Sequence, residues 1–292
     1  MSNDTILVLG ATGKTGRRLL PRLRLMGVPV RAASRSRGTR FDWSAPDTWD
    51  DALAGVGAIY LVAPPWPGPA ADFLARAEAA GVRRVTVLSG RGADQWGEST
   101  FGLDMRSAEA AARNSTLEWT ILRPNNFAQN FDEDLFRAPL QAGELMLPAG
   151  DVPEPFIDVD DVADVAARVL TEPGHAGKVY ELSGPEPVTF AAATELISRA
   201  TGLPIAYKQV TAEEYIAALV ESGADEQDAE HVAAMFTLMA DGGIAGTTGE
   251  VAAARGTGPR RNEGQTLSAP ALLRPSRPSI SSYSMGWLSF RV

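Results

Sequence analysis

Apolar and polar positions along the first 135 residues alternate between short hydrophobic runs and longer amphipathic segments, the rhythm of parallel strands joined by crossover helices. Six runs read as strands: Ile6 to Leu9, Val28 to Ala33, a short one near Arg40 to Asp42, Ala58 to Ala63, Arg84 to Ser89, and Glu118 to Leu122. Their β-branched character, apolar on both faces, suits a sheet covered on each side. Between them, Lys14 to Met26, Ala70 to Ala80 and Phe101 to Asn114 carry apolar residues at helical spacing, such as Leu19, Leu20 and Leu23. Gly27 and Gly81 follow two of these helices where the chain must turn back into the sheet.

From about Phe136 to Arg255 longer helices dominate, as in a lobe laid over the carboxyl edge of the sheet. Asp158-Val-Asp-Asp161 places acids in the first turn of a helix whose Val162, Val165, Ala166, Val169 and Leu170 form one stripe. Lys178 to Ser183 reads as a further strand, with helices over Thr189 to Thr201, Glu213 to Glu221 and Asp225 to Met239. The expected fold is α/β: a Rossmann-type doubly wound parallel sheet with a smaller, mostly helical substrate lobe. Residues 1–135 make the nucleotide-binding domain. Residues 136–258 make the lobe, partly interleaved with the sheet.

Residues 259–292 differ in kind. They hold five Arg against one Glu, with four Pro, seven Ser and little periodicity, and so carry +4 while the rest of the chain carries −13. A disordered basic extension is expected there.

Composition narrows the chemistry. With 45% hydrophobic and 22% charged residues among 292, the chain supports a sizeable core. The absence of cysteine excludes disulfides, thiolate nucleophiles and cysteine metal sites, and two isolated histidines, His175 and His231, cannot make a histidine-based metal centre without carboxylate help; no metal is expected. A net charge of −9 argues against a nucleic-acid footprint. No apolar run is long enough for a membrane span, and Met1 to Asp4 leads straight into the first strand without the features of a signal peptide, so a cytoplasmic location is expected. Oligomeric state is not legible.

The strongest signal is Gly10-Ala-Thr12-Gly13-Lys14-Thr15-Gly16 between the first strand and the first helix. Such a turn removes Cβ obstruction, lets backbone N–H groups approach a pyrophosphate and aims the positive helix end at it. The second strand ends Ala33-Ser34-Arg35-Ser36-Arg37, with no carboxylate to hold a free ribose. Ser34 can hydrogen-bond and Arg35 offers a planar fork to a 2′-phosphate, with Lys14 and Arg37 as secondary cations, so the cofactor predicted is NADP(H). Asp42 is placed to accept from the adenine amino group or to form a turn, and Ala63 and Pro64 lie beside the adenine-ribose path.

These residues, with Glu109, Trp119-Thr-Ile-Leu-Arg-Pro124, Phe127, Asn130 and Pro155 to Ala163, resemble the NmrA-like branch of the atypical short-chain dehydrogenases/reductases over residues 5–258. Within it, Phe41-Asp42-Trp43 and Ala58 to Pro65 look most like the group of ergot-alkaloid reductases and their bacterial relatives. The resemblance implies an NADP-binding Rossmann domain and either a reductase or a redox-sensing regulator.

One departure constrains the reaction. The superfamily's Tyr-x-x-x-Lys, set on the helix before the sixth strand, aligns with Phe101-Gly-Leu-Asp-Met105, and neither end residue can transfer a proton. Ser89 sits where an assisting serine is expected, and without the tyrosine it can only orient or polarise. Hydride delivery to a simple ketone leaves an alkoxide that needs an acid, whereas an iminium needs none and quinones or azo compounds need little help. An activated C=N, C=C or quinone-type acceptor is therefore expected, in a pocket walled by Trp66, Trp96, Asn125, Phe127, Phe131 and Phe156, with Met235, Phe236 and Met239 from a late helix. The alternative is an NADP(H)-sensing protein without turnover.

Overall fold

The computed structural model describes residues 5–255. The basic segment 259–292 lies outside the described residues.

The strands are β1 (Thr5–Val8), β2 (Val30–Ser34), β3 (Thr39–Arg40), β4 (Val56–Val62), β5 (Arg84–Leu88), β6 (Glu118–Pro124), β7 (Glu144–Leu147), β8 (Lys178–Leu182) and β9 (Ala206–Gln209). Seven pair in the order β3-β2-β1-β4-β5-β6-β8, all parallel, and β7 pairs with β9 in a separate parallel ribbon. The helices are α1 (Gly16–Leu25), α2 (Trp49–Leu53), α3 (Pro69–Ala79), α4 (Leu103–Asn114), α5 (Arg137–Ala142), α6 (Val159–Thr171), α7 (Phe190–Thr201), α8 (Ala212–Glu221), α9 (Glu226–Ala240) and α10 (Glu250–Arg255).

The uninterrupted apolar runs follow from burial on both faces. Ile6 and Val8 point to one core, shared with α1 and α6, while Leu7 and Leu9 point to the other, shared with α2, α3 and α4. Each such side chain, fully buried, contributes on the order of 1.5–3 kcal/mol. A third core fills the lobe, where Phe131, Phe136, Phe156, Phe190 and Phe236 pack with ring centroids 5.0 to 6.1 Å apart.

The interleaving is specific. Asp158 caps α6 by accepting the Asp160 N–H, and the α6 stripe then packs on the sheet beside α1 rather than in the lobe. Arg18 and Arg22 on α1 bind Asp160 on α6 at 3.4 and 2.7 Å. After α6 the chain returns as β8 to the sheet edge, so α5, α7, α8, α9, β7 and β9 are left to build the lobe.

Boundaries differ from the sequence expectation for local reasons. Val28 does not start β2, because its N–H caps α1 through the Leu23 carbonyl after the left-handed Gly27. β3 stops before Asp42, whose N–H goes to Thr48 Oγ1 and whose carbonyl accepts the Trp49 indole N–H.

Candidate active site

The parallel register brings the ends of β1, β2 and β4 to one edge, with Val8 opposite both Ala32 and Tyr60. There the chain turns through Gly10, at φ +63°, into the loop before α1. Gly16 lies against that turn so closely that a Cβ on it would meet the Gly10 carbonyl oxygen at 2.3 Å. α1 has no side-chain cap and no acid in its first turn, and the backbone N–H groups of Thr12, Lys14 and Thr15 make no hydrogen bond among the described residues. Unpaired N–H groups at a helix start form an anion site.

A cleft of about 260 Å³ runs outward from this loop, lined by Gly10, Thr12, Gly13, Ala33, Ser34, Arg35, Asp42, Ala63 and Trp66 among others. Ser34 is committed to its own turn, its hydroxyl bonding the backbone of Arg37 as donor and acceptor. Arg35 is exposed and forms no hydrogen bond or ion pair among the described residues, so its fork is available. Asp42 accepts the N–H and the hydroxyl of Ser44 at 2.9 and 2.7 Å, and the Ser44 hydroxyl and N–H, with Arg35 and Arg40 nearby, hold its carboxyl below the usual range. Among the expected cofactor residues, Pro64 is buried beneath the cleft and its neighbour Pro65 lines it. Thr15 is wholly buried, its hydroxyl beside that of Tyr60, whose ionisation burial pushes up strongly.

Lys14 was expected on this cleft and is not there. Its side chain turns the other way, placing Nζ 2.6 Å from Asn130 Oδ1 and 2.7 Å from Asp134 Oδ2, within a second cavity.

That cavity, of about 150 Å³, opens where β5 and β6 end and is walled by Trp96, Phe101, Met105, Phe127, Met235 and Met239, with Ser89 and Asn125 at its base. Trp96, Asn125 and Phe127, expected as pocket walls, line this cavity. Four expected wall residues do not. Phe131, Phe156 and Phe236 are buried in the aromatic core of the lobe, which needs their volume, and Trp66, 42% exposed, belongs to the first cleft.

Beneath the cavity lies a buried polar network. Ser89 Oγ donates to Glu109 Oε1 at 2.6 Å, and Arg123 grips both oxygens of Glu109 at 2.8 and 2.7 Å while reaching Asp94 and Glu181 at 2.8 and 2.9 Å. Burial alone disfavours the Arg123 charge, but Glu109 and Glu181 outweigh it and hold the guanidinium well above its usual range. Glu154, almost wholly buried, has its carboxyl pushed up by desolvation although Asn125 Nδ2 and the Asn126 N–H donate to it at 2.8 and 3.0 Å. Asn125 Oδ1 in turn accepts from Arg91 at 2.6 Å, so its amide is locked between the two. Desolvation lowers Arg91 from its ordinary value.

The far wall is a strap, residues 241–249. Ile244 presents its carbonyl to Asn125 Nδ2 at 3.2 Å, Gly246 presents its own to Arg91, and the Thr248 N–H meets Ser183 Oγ at 2.7 Å. Arg91, Glu154 and the strap escaped the sequence reading. The only signal was glycine richness between α9 and α10.

Comparison with known proteins agrees with this architecture. The family described as NAD(P)H-binding matches residues 10–173, and the NmrA-like family matches residues 105–255. The chain is 36% identical to the (4-alkanoyl-5-oxo-2,5-dihydrofuran-3-yl)methyl phosphate reductase of Streptomyces griseus, over 70% of this chain and 77% of that one. It is 30% identical to agroclavine dehydrogenase of Claviceps fusiformis over 88% and 94% of the two chains. The structure of an NADPH-dependent quinone oxidoreductase of Escherichia coli shares the fold, with a TM-score of 0.76, 24% identity and coverage of 91% and 98%. Two profiles that each span more than half of the chain, and relatives at this identity, place it: the protein belongs to the NmrA-like family and carries an NAD(P)H-binding Rossmann domain.

Proposed function

We propose that the protein is an NADPH-dependent reductase whose acceptor is an activated C=N, conjugated C=C or quinone-type group of a small apolar molecule. The first cleft fits the nucleotide: unpaired N–H groups at the start of α1 suit the pyrophosphate, and the free Arg35 fork suits a 2′-phosphate. NADPH, when bound, supplies the hydride.

The observation that carries the choice of acceptor is the wall of the second cavity. Phe101 and Met105, 6% and 4% exposed, line the cavity at the positions that the sequence aligns with a tyrosine and lysine pair, and no tyrosine lines the cavity among the described residues. Ser89 is spent on Glu109. The chain therefore positions an acceptor but offers no phenol to protonate an alkoxide, which favours acceptors whose reduced form needs little acid help. The relatives named (4-alkanoyl-5-oxo-2,5-dihydrofuran-3-yl)methyl phosphate reductase and agroclavine dehydrogenase support the coarser part of this reading, a reductase of small organic molecules.

The test is NADPH oxidation at 340 nm with quinones, azo dyes, cyclic iminium ions, conjugated enones and simple ketones. Turnover of activated acceptors with simple ketones at background is expected. Efficient reduction of simple ketones overturns the choice of acceptor. Tight NADP(H) binding without turnover on any acceptor replaces the reductase with a sensor.

A further inference from the structure

We propose that the Lys14 ammonium is the group that meets negative charge as it develops on the acceptor, so that among activated acceptors Lys14 favours those reduced to a stabilised oxyanion, as quinones are, over those reduced to a neutral product. The inference rests on the reductase reading and concerns the same cavity.

Lys14 divides its roles between backbone and side chain. Its N–H faces the anion site at the start of α1, while its side chain, 10% exposed, enters the acceptor cavity with Nζ 5.8 Å from the centre of the Phe127 ring. An ammonium has three N–H bonds. Asn130 Oδ1 and Asp134 Oδ2 take two of them, and among the described residues nothing takes the third. Those two acceptors also fix Nζ in place, so the free donor is preorganised and costs no reorganisation at the moment of reaction.

Three other polar groups on the cavity are less suited. Ser89 already donates to Glu109, Asp241 carries the wrong charge for an oxyanion, and Arg91 is braced between Asn125 and the Gly246 carbonyl.

The charge balance distinguishes acceptor classes. A quinone that receives hydride from NADPH becomes the hydroquinone monoanion, with NADP+ as the other product, and takes its proton from water. A cyclic iminium becomes a neutral amine. Only the first gains from a nearby cation. Loss of one preorganised oxyanion donor costs on the order of 10²-fold in turnover.

The experiment compares wild type with Lys14→Gln, Lys14→Met and Lys14→Arg after confirming folding by thermal melting. First, 4-nitrophenol is bound to protein saturated with NADP+, and its visible absorbance reports the ionised fraction at fixed pH. Wild type should enrich the phenolate, Lys14→Gln and Lys14→Met should lose that enrichment, and Lys14→Arg should restore part of it. Second, the ratio of quinone to iminium turnover should fall by about 10²-fold in Lys14→Gln. Third, calorimetry follows NADPH affinity. Equal ionised fractions in wild type and Lys14→Gln overturn the proposal, as do parallel losses on both acceptor classes matched by a loss of NADPH affinity, which make Lys14 a cofactor ligand. A split found in Arg91→Gln and not in Lys14→Gln moves the role to Arg91 and also overturns it. Wild type that turns over no acceptor defeats the reductase reading, while the phenolate measurement still decides the place of Lys14.

Discussion

Glu109 and Arg123 face each other beneath the cavity with side chains 7% and 6% exposed, joined by two hydrogen bonds of 2.8 and 2.7 Å. Removing one partner of a buried pair typically costs about 3–5 kcal/mol, because the other charge is left desolvated and unpaired. Arg123 keeps Glu181 and Asp94, the latter 62% exposed, so for Glu109→Gln the cost is discounted to about 2–4 kcal/mol. In a domain of this size that is a fall of about 5–15 °C in melting temperature. Arg123→Met leaves buried Glu109 with only the Ser89 hydroxyl and the part-exposed Arg113, 3.5 Å away, and should cost a similar amount. Replacing both by Met removes the charges together and should recover part of the loss, since a buried pair is often neutral against apolar residues of similar volume. The assay is thermal and urea unfolding of the two single variants and the double variant, read as a coupling energy. Single variants that melt with wild type, or losses that simply add, refute the view that this pair is the structural keel on which Ser89 rests.

Other expectations are as direct. Arg35→Glu should weaken NADPH binding by about 30- to 100-fold, the equivalent of losing charge-assisted hydrogen bonds worth about 2–3 kcal/mol, and leave NADH binding within a few-fold; calorimetry giving equal losses contradicts the 2′-phosphate assignment. Arg91→Ala removes the brace on the Gly246 carbonyl, so amide hydrogen exchange over 243–249 should accelerate about 10- to 100-fold while β5 and β6 stay protected. Burial raises the Glu154 carboxyl above its ordinary value, so the folded state binds that proton more tightly than the unfolded chain; the stabilisation is present below the ordinary carboxylate pKa and is lost as pH rises through the raised one. Glu154→Gln keeps an acceptor oxygen for Asn125 and Asn126, and its stability relative to wild type should therefore improve from pH 4 to pH 7; a constant difference across that range speaks against a raised Glu154.

The sheet was legible because its physics is local and repeated. Ile6 to Leu9 is apolar at every position since both faces are covered, and Gly10 and Gly16 stand where a helix must approach a turn without Cβ atoms. Trp96, Asn125 and Phe127 come together at one cavity because strand ends in a parallel sheet converge on one edge. What escaped depends on long-range pairing. β7 and β9 are four residues each and acquire meaning only against one another. An aromatic residue after β6 could serve the pocket or the lobe core, and only the packing of Phe136, Phe156 and Phe190 around Phe131 decides for the core. Lys14 shows the same limit at a single residue: the motif locates its backbone, but Asn130 and Asp134, more than a hundred positions away, determine where its ammonium points.

The central claim is that the first cleft holds NADPH with the nicotinamide opening into the cavity between Phe101, Met105 and Phe127. A crystal structure of the protein with NADPH tests it most directly. The account predicts the 2′-phosphate on the Arg35 guanidinium, the pyrophosphate on the unpaired N–H groups of Thr12, Lys14 and Thr15, and the reactive face of the nicotinamide ring bare toward that cavity. A fully occupied cofactor whose nicotinamide face is sealed by Phe101 or Met105, or whose ring lies elsewhere, contradicts it.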